Sequence, residues 1–140
     1  MITDKNFRSR WHTYYSRKRI GHQWFQVDLL KELPVQKILE IGPFLGLVTA
    51  MLASAGYEVT TLDVEEASHN IGAKTSIKGD IANISSDRLK GFDVVICCEM
   101  LEHIAWPEVD NVVNRIAQSG TPWLILSVPY EGFQFGFSLY

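Results

Sequence analysis

The marks of a disulfide framework, a membrane span or a leader are hard to find in this 140-residue sequence. Its two cysteines, Cys97 and Cys98, are adjacent and cannot build a disulfide framework. Set inside VVICC they read as small buried hydrophobes, and a reducing, cytoplasmic setting is expected. No apolar run approaches the roughly 18 residues of a membrane-crossing helix. The N-terminus, MITDKNFRSRW, has no apolar h-region, which argues against secretion. His12, His22 and His69 show no metal-ligand spacing, so no metal site is expected. Acid is nearly absent from the first 24 residues, where Asp4 faces Lys5, Arg8, Arg10, Arg17, Lys18 and Arg19. The rest of the chain holds the other seven basic residues and fifteen acids. Such a split fits either an anion-binding arm or a solvated helical segment.

What is present suits one domain over residues 1–140, with nearly half its residues apolar and no repeat or linker. Helical spacing of Trp24, Val27, Leu30 and Leu33 predicts a first helix over His22–Leu33, stopped by Pro34. QKILEIG reads as a buried strand. Gly46–Ala55 reads as a helix closed by Gly56. EVTTLD is a second strand, Thr75–Ile77 a third, FDVVICC a fourth and WLILSV a fifth. Pro107 suits the first turn of a helix running to about Ser119. Strands alternating with helices, and apolar along their length, predict an α/β fold with a doubly wound, mostly parallel sheet of about five core strands. A ligand is then expected beyond the carboxyl ends of the strands, near the glycine turn after the first.

That turn lies in ILEIGPFLGLVTAMLASAGYEVTTLD, from Ile38 to Asp63. A dinucleotide loop needs G-x-G-x-x-G with bare amides facing a pyrophosphate. Here Gly42 and Gly46 are four apart and Leu47 stands at the third glycine's place, so the spacing is wrong. Glu40 would repel a pyrophosphate but suits a cationic ligand. S-adenosylmethionine is one, with a sulfonium, an ammonium and no phosphate. Asp63, ending the second strand, can accept both ribose hydroxyls.

With these residues the chain resembles the class I S-adenosylmethionine-dependent methyltransferases, of the small-molecule type found in quinone biosynthesis, from about Val35 to Val128. LEIGPFLG matches the family's first motif at Glu40, Gly42 and Gly46. The resemblance implies Glu40 near the methionine ammonium, and the loop backbone, through Pro43 and Phe44, along the cofactor. It implies Asp63 and Val64 at the ribose, and Asp80 and Ile81 of the GDI segment at adenine. FDVVICCEMLEHI resembles the fourth-strand motif, which places Cys98 and Glu99 at the methionine end. His103 reads either as a base on an acceptor hydroxyl or as a structural hydrogen-bond partner. The basic, aromatic arm over residues 1–21 is implied to be a lid, with Trp11, Tyr14 and Tyr15 shaping the acceptor pocket.

Two departures stand out. Phe44 replaces the motif's middle glycine, where its side chain can crowd the cofactor or pack over it. The family's sheet ends in an antiparallel strand pair, truncated here because Tyr140 follows the fifth strand closely. The alternating Phe133, Phe135, Phe137 and Leu139 can return beside strand five, pair with a second copy through that edge, or remain disordered; a chain cut short by design ends the same way. The expected function is methyl transfer from S-adenosylmethionine to a small-molecule, lipid or glycan-precursor acceptor. The alternative is a non-catalytic cofactor-binding or protein-interaction module. A nicotinamide oxidoreductase is disfavoured by the glycine spacing, and nucleic acid is not an expected partner because the surface beyond the arm is acidic.

Overall fold

The computed structural model describes residues 5–65 and 72–129. Two helices lead the chain, α1 (Lys5–Tyr14) and α2 (Arg17–Asp28), the second capped by Ser16, whose Oγ accepts the Arg19 N–H at 3.2 Å. A 3-10 turn, Leu29–Glu32, leads into β1 (Lys37–Ile41). Then come α3 (Leu47–Ser54), β2 (Glu58–Asp63), β3 (Thr75–Lys78), β4 (Val94–Cys98), α4 (Trp106–Gln118) and β5 (Trp123–Ser127). The strands form one sheet, ordered β3-β2-β1-β4-β5, with every neighbouring pair parallel.

Period-two alternation divides the apolar residues between the sheet's two faces. Leu39, Val95 and Cys97 face α4 through Val112 and Ile116, while Ile38, Val94 and Ile96 face α3 through Val48 and Leu52. Leu30, wholly buried, ties the turn after α2 to the α3 face. Both faces are covered, which is why β1 and β4 are apolar along almost their whole length. The exception is Glu40, on the α3 face. Strand order reverses between β1 and β4, so their carboxyl ends open a crevice there. Asp93 pins the opposite end of the sheet, accepting the backbone N–H groups of Gln36 and Lys37 at 2.9 and 2.8 Å.

The N-terminal elements differ from the sequence expectation. The helix expected over His22–Leu33 begins at Arg17 and gives way to the 3-10 turn at Leu29, and α1 lies inside the segment expected to be an arm. The reason is polarity. On α2 the residue fully buried is Gln26, while Ile20, Trp24 and Phe25 face outward. A periodicity search that turns Trp24 inward misplaces the helix. No residue of α1 is fully buried, so no apolar stripe marks it. The expected strand over Phe133–Leu139 and its dimer alternative lie outside the described residues. No described helix is long and apolar enough to cross a membrane.

Candidate functional site

The crevice between β1 and β4 deepens into a cavity of about 610 Å³. That is within the roughly 300–1,000 Å³ usual for a small-molecule site. Its floor is the glycine turn. Gly42, Phe44 and Gly46 all take the left-handed conformation, with φ of 72°, 52° and 86°. Glycine adopts it freely, whereas a phenylalanine is strained there. Gly42 is also required sterically: a Cβ on it would lie 2.9 Å from Met100 Cγ. The turn is held by Gly42 N–H to Leu62 O and Gly46 N–H to Pro43 O, both 2.9 Å.

Glu40 borders the cavity yet is only 4 % exposed. Thr49 Oγ1 of α3 donates to its Oε2 at 2.6 Å, and among the described residues no Lys or Arg forms an ion pair with it. Burial raises its pKa to about 7, against the Thr49 hydrogen bond, with a further rise from nearby Asp63. Gln23 and Gln26 of α2 line the wall beside it, and Gln23 Oε1 is buried without a hydrogen-bond partner among the described residues.

Asp63 ends β2 at the cavity, its Oδ1 accepting the Glu65 N–H at 3.2 Å. Asp80 is committed more fully to its own loop: Oδ1 takes the Ala82 N–H at 2.9 Å and Oδ2 the Asn83 side-chain amide at 3.0 Å. Helix α4 fastens the same loop, with Arg115 Nε donating to Ile81 O and Asn111 Nδ2 to Ala82 O. Val64, Ile81 and Pro43 also line the cavity.

Past β4, Glu99 again is left-handed, with φ 53°, and its N–H donates to Ser127 O at 2.9 Å. Its carboxyl is pushed up to about 7, first by desolvation and then by Glu102, whose carboxyl is a like charge and a hydrogen-bond partner. Cys98 lines the cavity as a neutral thiol, pushed up to about 12 by burial. His103 stands at the rim, its side chain 77 % exposed and Nε2 3.8 Å from Glu102 Oε1.

Tyr14 of α1 also lines the cavity. Its ring meets Phe44 edge-on at 4.6 Å. Tyr15 does not line the cavity; it is buried, and its hydroxyl accepts the Leu47 N–H at 3.3 Å, satisfying one free amide of α3. Trp11 packs against Tyr15 at 4.8 Å and is likewise outside the lining, as is Gly46 behind the turn. Of the residues expected at a site, the cavity therefore gathers Glu40, Gly42, Pro43, Phe44, Asp63, Val64, Asp80, Ile81, Cys98, Glu99, His103 and Tyr14. Sequence reading missed Gln23, Gln26 and Met100; the three-residue spacing of the two glutamines on one helical face is the signal that would have found the first two.

The profile of a family described as "Methyltransferase domain" matches residues 38–122. The chain belongs to this family. The matched segment runs from β1 to the residue before β5, so it contains most of the cavity's walls. Among curated relatives, a ubiquinone biosynthesis O-methyltransferase of Bordetella avium (strain 197N) is 28% identical over 116 residues, 75% of this chain and 47% of that protein. The chain spans about half the length of the curated relatives it matches. The fold is similar to that of the magnesium protoporphyrin IX methyltransferase from Synechocystis PCC 6803, with TM-score 0.70 and 19% identity over 97% of this chain and 89% of that one. It is similar also to that of the N-methyltransferase NodS from Bradyrhizobium japonicum WM9, with TM-score 0.68 and 20% identity over 84% of this chain and 65% of the other. Both neighbours share the Rossmann-like methyltransferase architecture, and so does this sheet.

Proposed function

We propose that this chain forms the cofactor-binding part of a cytoplasmic S-adenosylmethionine-dependent methyltransferase acting on a small-molecule acceptor. The observation that carries the reading is Glu40, a carboxylate deep in the cavity wall with a hydroxyl for a partner and no cation paired with it among the described residues. Such a group is costly to ionise unless a positive charge comes to it. A ligand ammonium supplies that charge, whereas a pyrophosphate would be repelled. The orphan Gln23 Oε1 adds a second acceptor for an N–H donor. The Asp63 carboxylate, at the end of β2, suits a ribose diol, and Asp80 with Ile81 suits a base edge beyond it. Bound SAM and SAH in the two structural neighbours support the same cofactor.

S-adenosylmethionine, when bound, supplies a methyl group on a sulfonium that needs no further activation. The chain's part is then to bind, align and exclude water. Cys98, Glu99 and Met100 bound the cavity on the β4 side, and the N-terminal segment, with Tyr14 foremost, serves as its lid. His103 at the rim is the residue for removing a proton from an acceptor hydroxyl. The O-methyltransferase names of the curated relatives favour a hydroxyl acceptor.

Calorimetric titration with S-adenosylmethionine and S-adenosylhomocysteine tests the reading, with NAD as control and Asp63→Ala beside the wild type. Binding of both sulfur ligands but not NAD, weakened about tenfold or more in Asp63→Ala, is expected from the loss of a charged hydrogen bond. Absence of binding to the wild type would overturn the assignment and leave a non-catalytic interaction module as the better account.

A further inference from the structure

Phe44 stands where the strain of its position has to be outweighed by something. Its backbone lies at φ 52°, between Gly42 and Gly46, a conformation that a bulky L-residue rarely takes. The loop keeps the path of a glycine turn and carries a ring besides. That ring is 48 % exposed and is met edge-on by Tyr14 at 4.6 Å. The Arg10 guanidinium lies 5.6 Å from the Phe44 ring centroid, and the Arg19 guanidinium lies 4.0 Å from the centroid of Tyr14. Cation, ring, ring and cation follow one another, joining α1, the start of α2 and the glycine turn.

This chain of contacts matters because it joins α1 to the glycine turn at the cavity. None of the helix's residues is fully buried, and Phe7, Trp11 and Tyr14 are partly covered. The Tyr15 hydroxyl on Leu47 N fixes the hinge between α1 and α2, but it lies after the helix. At the end of α1 that lines the cavity, Tyr14 on Phe44 is a direct hold on the turn. Edge-to-face pairs and cation–π contacts at such half-exposed sites contribute individually modest stabilisation, large enough to change an opening equilibrium several-fold.

We propose that Phe44 is the latch of the N-terminal lid: a positioning residue that keeps α1 closed over the cavity and so sets how fast a bound ligand leaves. For the identity of that ligand the inference rests on the function proposed above. The closure itself does not, because both rings belong to this chain. Replacing Phe44 by glycine relaxes the turn and removes the latch together. A bare glycine turn would be more relaxed and less covered.

Limited trypsin digestion of the full chain, without ligand, reads the closure at Arg8, Arg10, Arg17 and Lys18. In Phe44→Gly, cleavage within α1 and at the start of α2 is expected to accelerate roughly five- to tenfold, and in Phe44→Tyr, which keeps the ring, to stay near the wild-type rate. Tyr14→Ala removes the opposite ring without touching the turn, and it decides the matter should Phe44→Gly fail to fold. The double variant is expected to be cut clearly more slowly than the product of the two single effects predicts, since the Tyr14–Phe44 contact is lost in all three. In stopped flow, S-adenosylhomocysteine is expected to dissociate faster from Tyr14→Ala and Phe44→Gly by a similar factor. Unchanged cleavage in Tyr14→Ala, or acceleration in the double variant by the full product of the two, would overturn the latch. If the wild type binds no S-adenosylhomocysteine, the proposed function fails while the digestion still decides the latch.

Discussion

The carboxyl ends of β1 and β4 lie side by side, and each presents an acid whose pKa is raised to about 7, yet the causes differ. Glu40 is alone and almost fully buried; desolvation is opposed by the Thr49 hydroxyl. Glu99 is only partly enclosed, and the neighbouring Glu102 carboxyl adds to the rise that desolvation begins. The backbone repeats the contrast. After β1 a left-handed residue, Phe44, is met by side chains of α1, while after β4 the left-handed Glu99 is held by its own N–H on Ser127 O. One end is, on the function proposed above, a deep receptor for a single positive charge. The other is a shallow acid beside a second carboxyl. The lesson is that equal acidity at two places in a site does not imply equal roles, because a buried lone acid responds to a cation and a paired acid responds to its partner.

Substituting the deep acid has the largest expected effect. The folded protein keeps the Glu40 proton up to pH 7, whereas the unfolded chain gives it up near 4.5. Stability from this group is therefore fully present below about pH 4.5 and is lost as pH rises towards 7, to the extent of about 3 kcal/mol. Glu40→Gln removes that loss. At pH 8 its Tm is expected to exceed that of the wild type by about 10 °C, and at pH 4.5 to match it, while affinity for S-adenosylmethionine falls roughly 10- to 100-fold. Thermal scans at the two pH values and a titration check this. A variant less stable than wild type at pH 8 would mean that the buried carboxylate is better compensated than its surroundings show.

The shallow pair responds to its neighbour instead. In Glu102→Gln the like charge is gone, and Glu99 is expected to titrate lower than about 7, followed by carbon-detected NMR of the carboxyl. Glu40 should titrate unchanged. The smallest effect is expected at the hinge of the deep end: Tyr15→Phe loses the acceptor for Leu47 N–H, with a loss of about 1 kcal/mol in chemical denaturation. No comparable side-chain substitution exists after β4, where the anchor is backbone to backbone.

The same contrast shows what a reader of the sequence can and cannot see. The sheet was legible because β1, β2, β4 and β5 are apolar or β-branched runs separated by glycine turns, and their continuous character announces a sheet covered on both faces. The acid ending β2 and the acid inside β1 were legible because an acid in such places needs a reason. The N-terminal helices were not. Helix α2 buries Gln26 and shows Trp24 to solvent, so its polarity runs against the period used to find helices. Tyr15 was expected at the acceptor pocket and is instead a structural hydroxyl under α1, because a tyrosine's partner depends on a turn thirty-two residues away. Thr49 was silent as well: within LVTAMLAS nothing distinguishes a hydroxyl that faces a buried carboxylate from one that faces the core.

The central claim, that Glu40 is the receptor for the cofactor's positive charge, is tested most directly by the protons released on binding. Calorimetry of S-adenosylhomocysteine binding at pH 6.5, repeated in buffers of different ionisation enthalpy, counts them. The wild type should release a large fraction of one proton as Glu40 ionises beside the ligand ammonium, and Glu40→Gln should release almost none. Release that persists unchanged in Glu40→Gln would place the titrating group elsewhere, with Glu99 the first alternative, and would contradict the account.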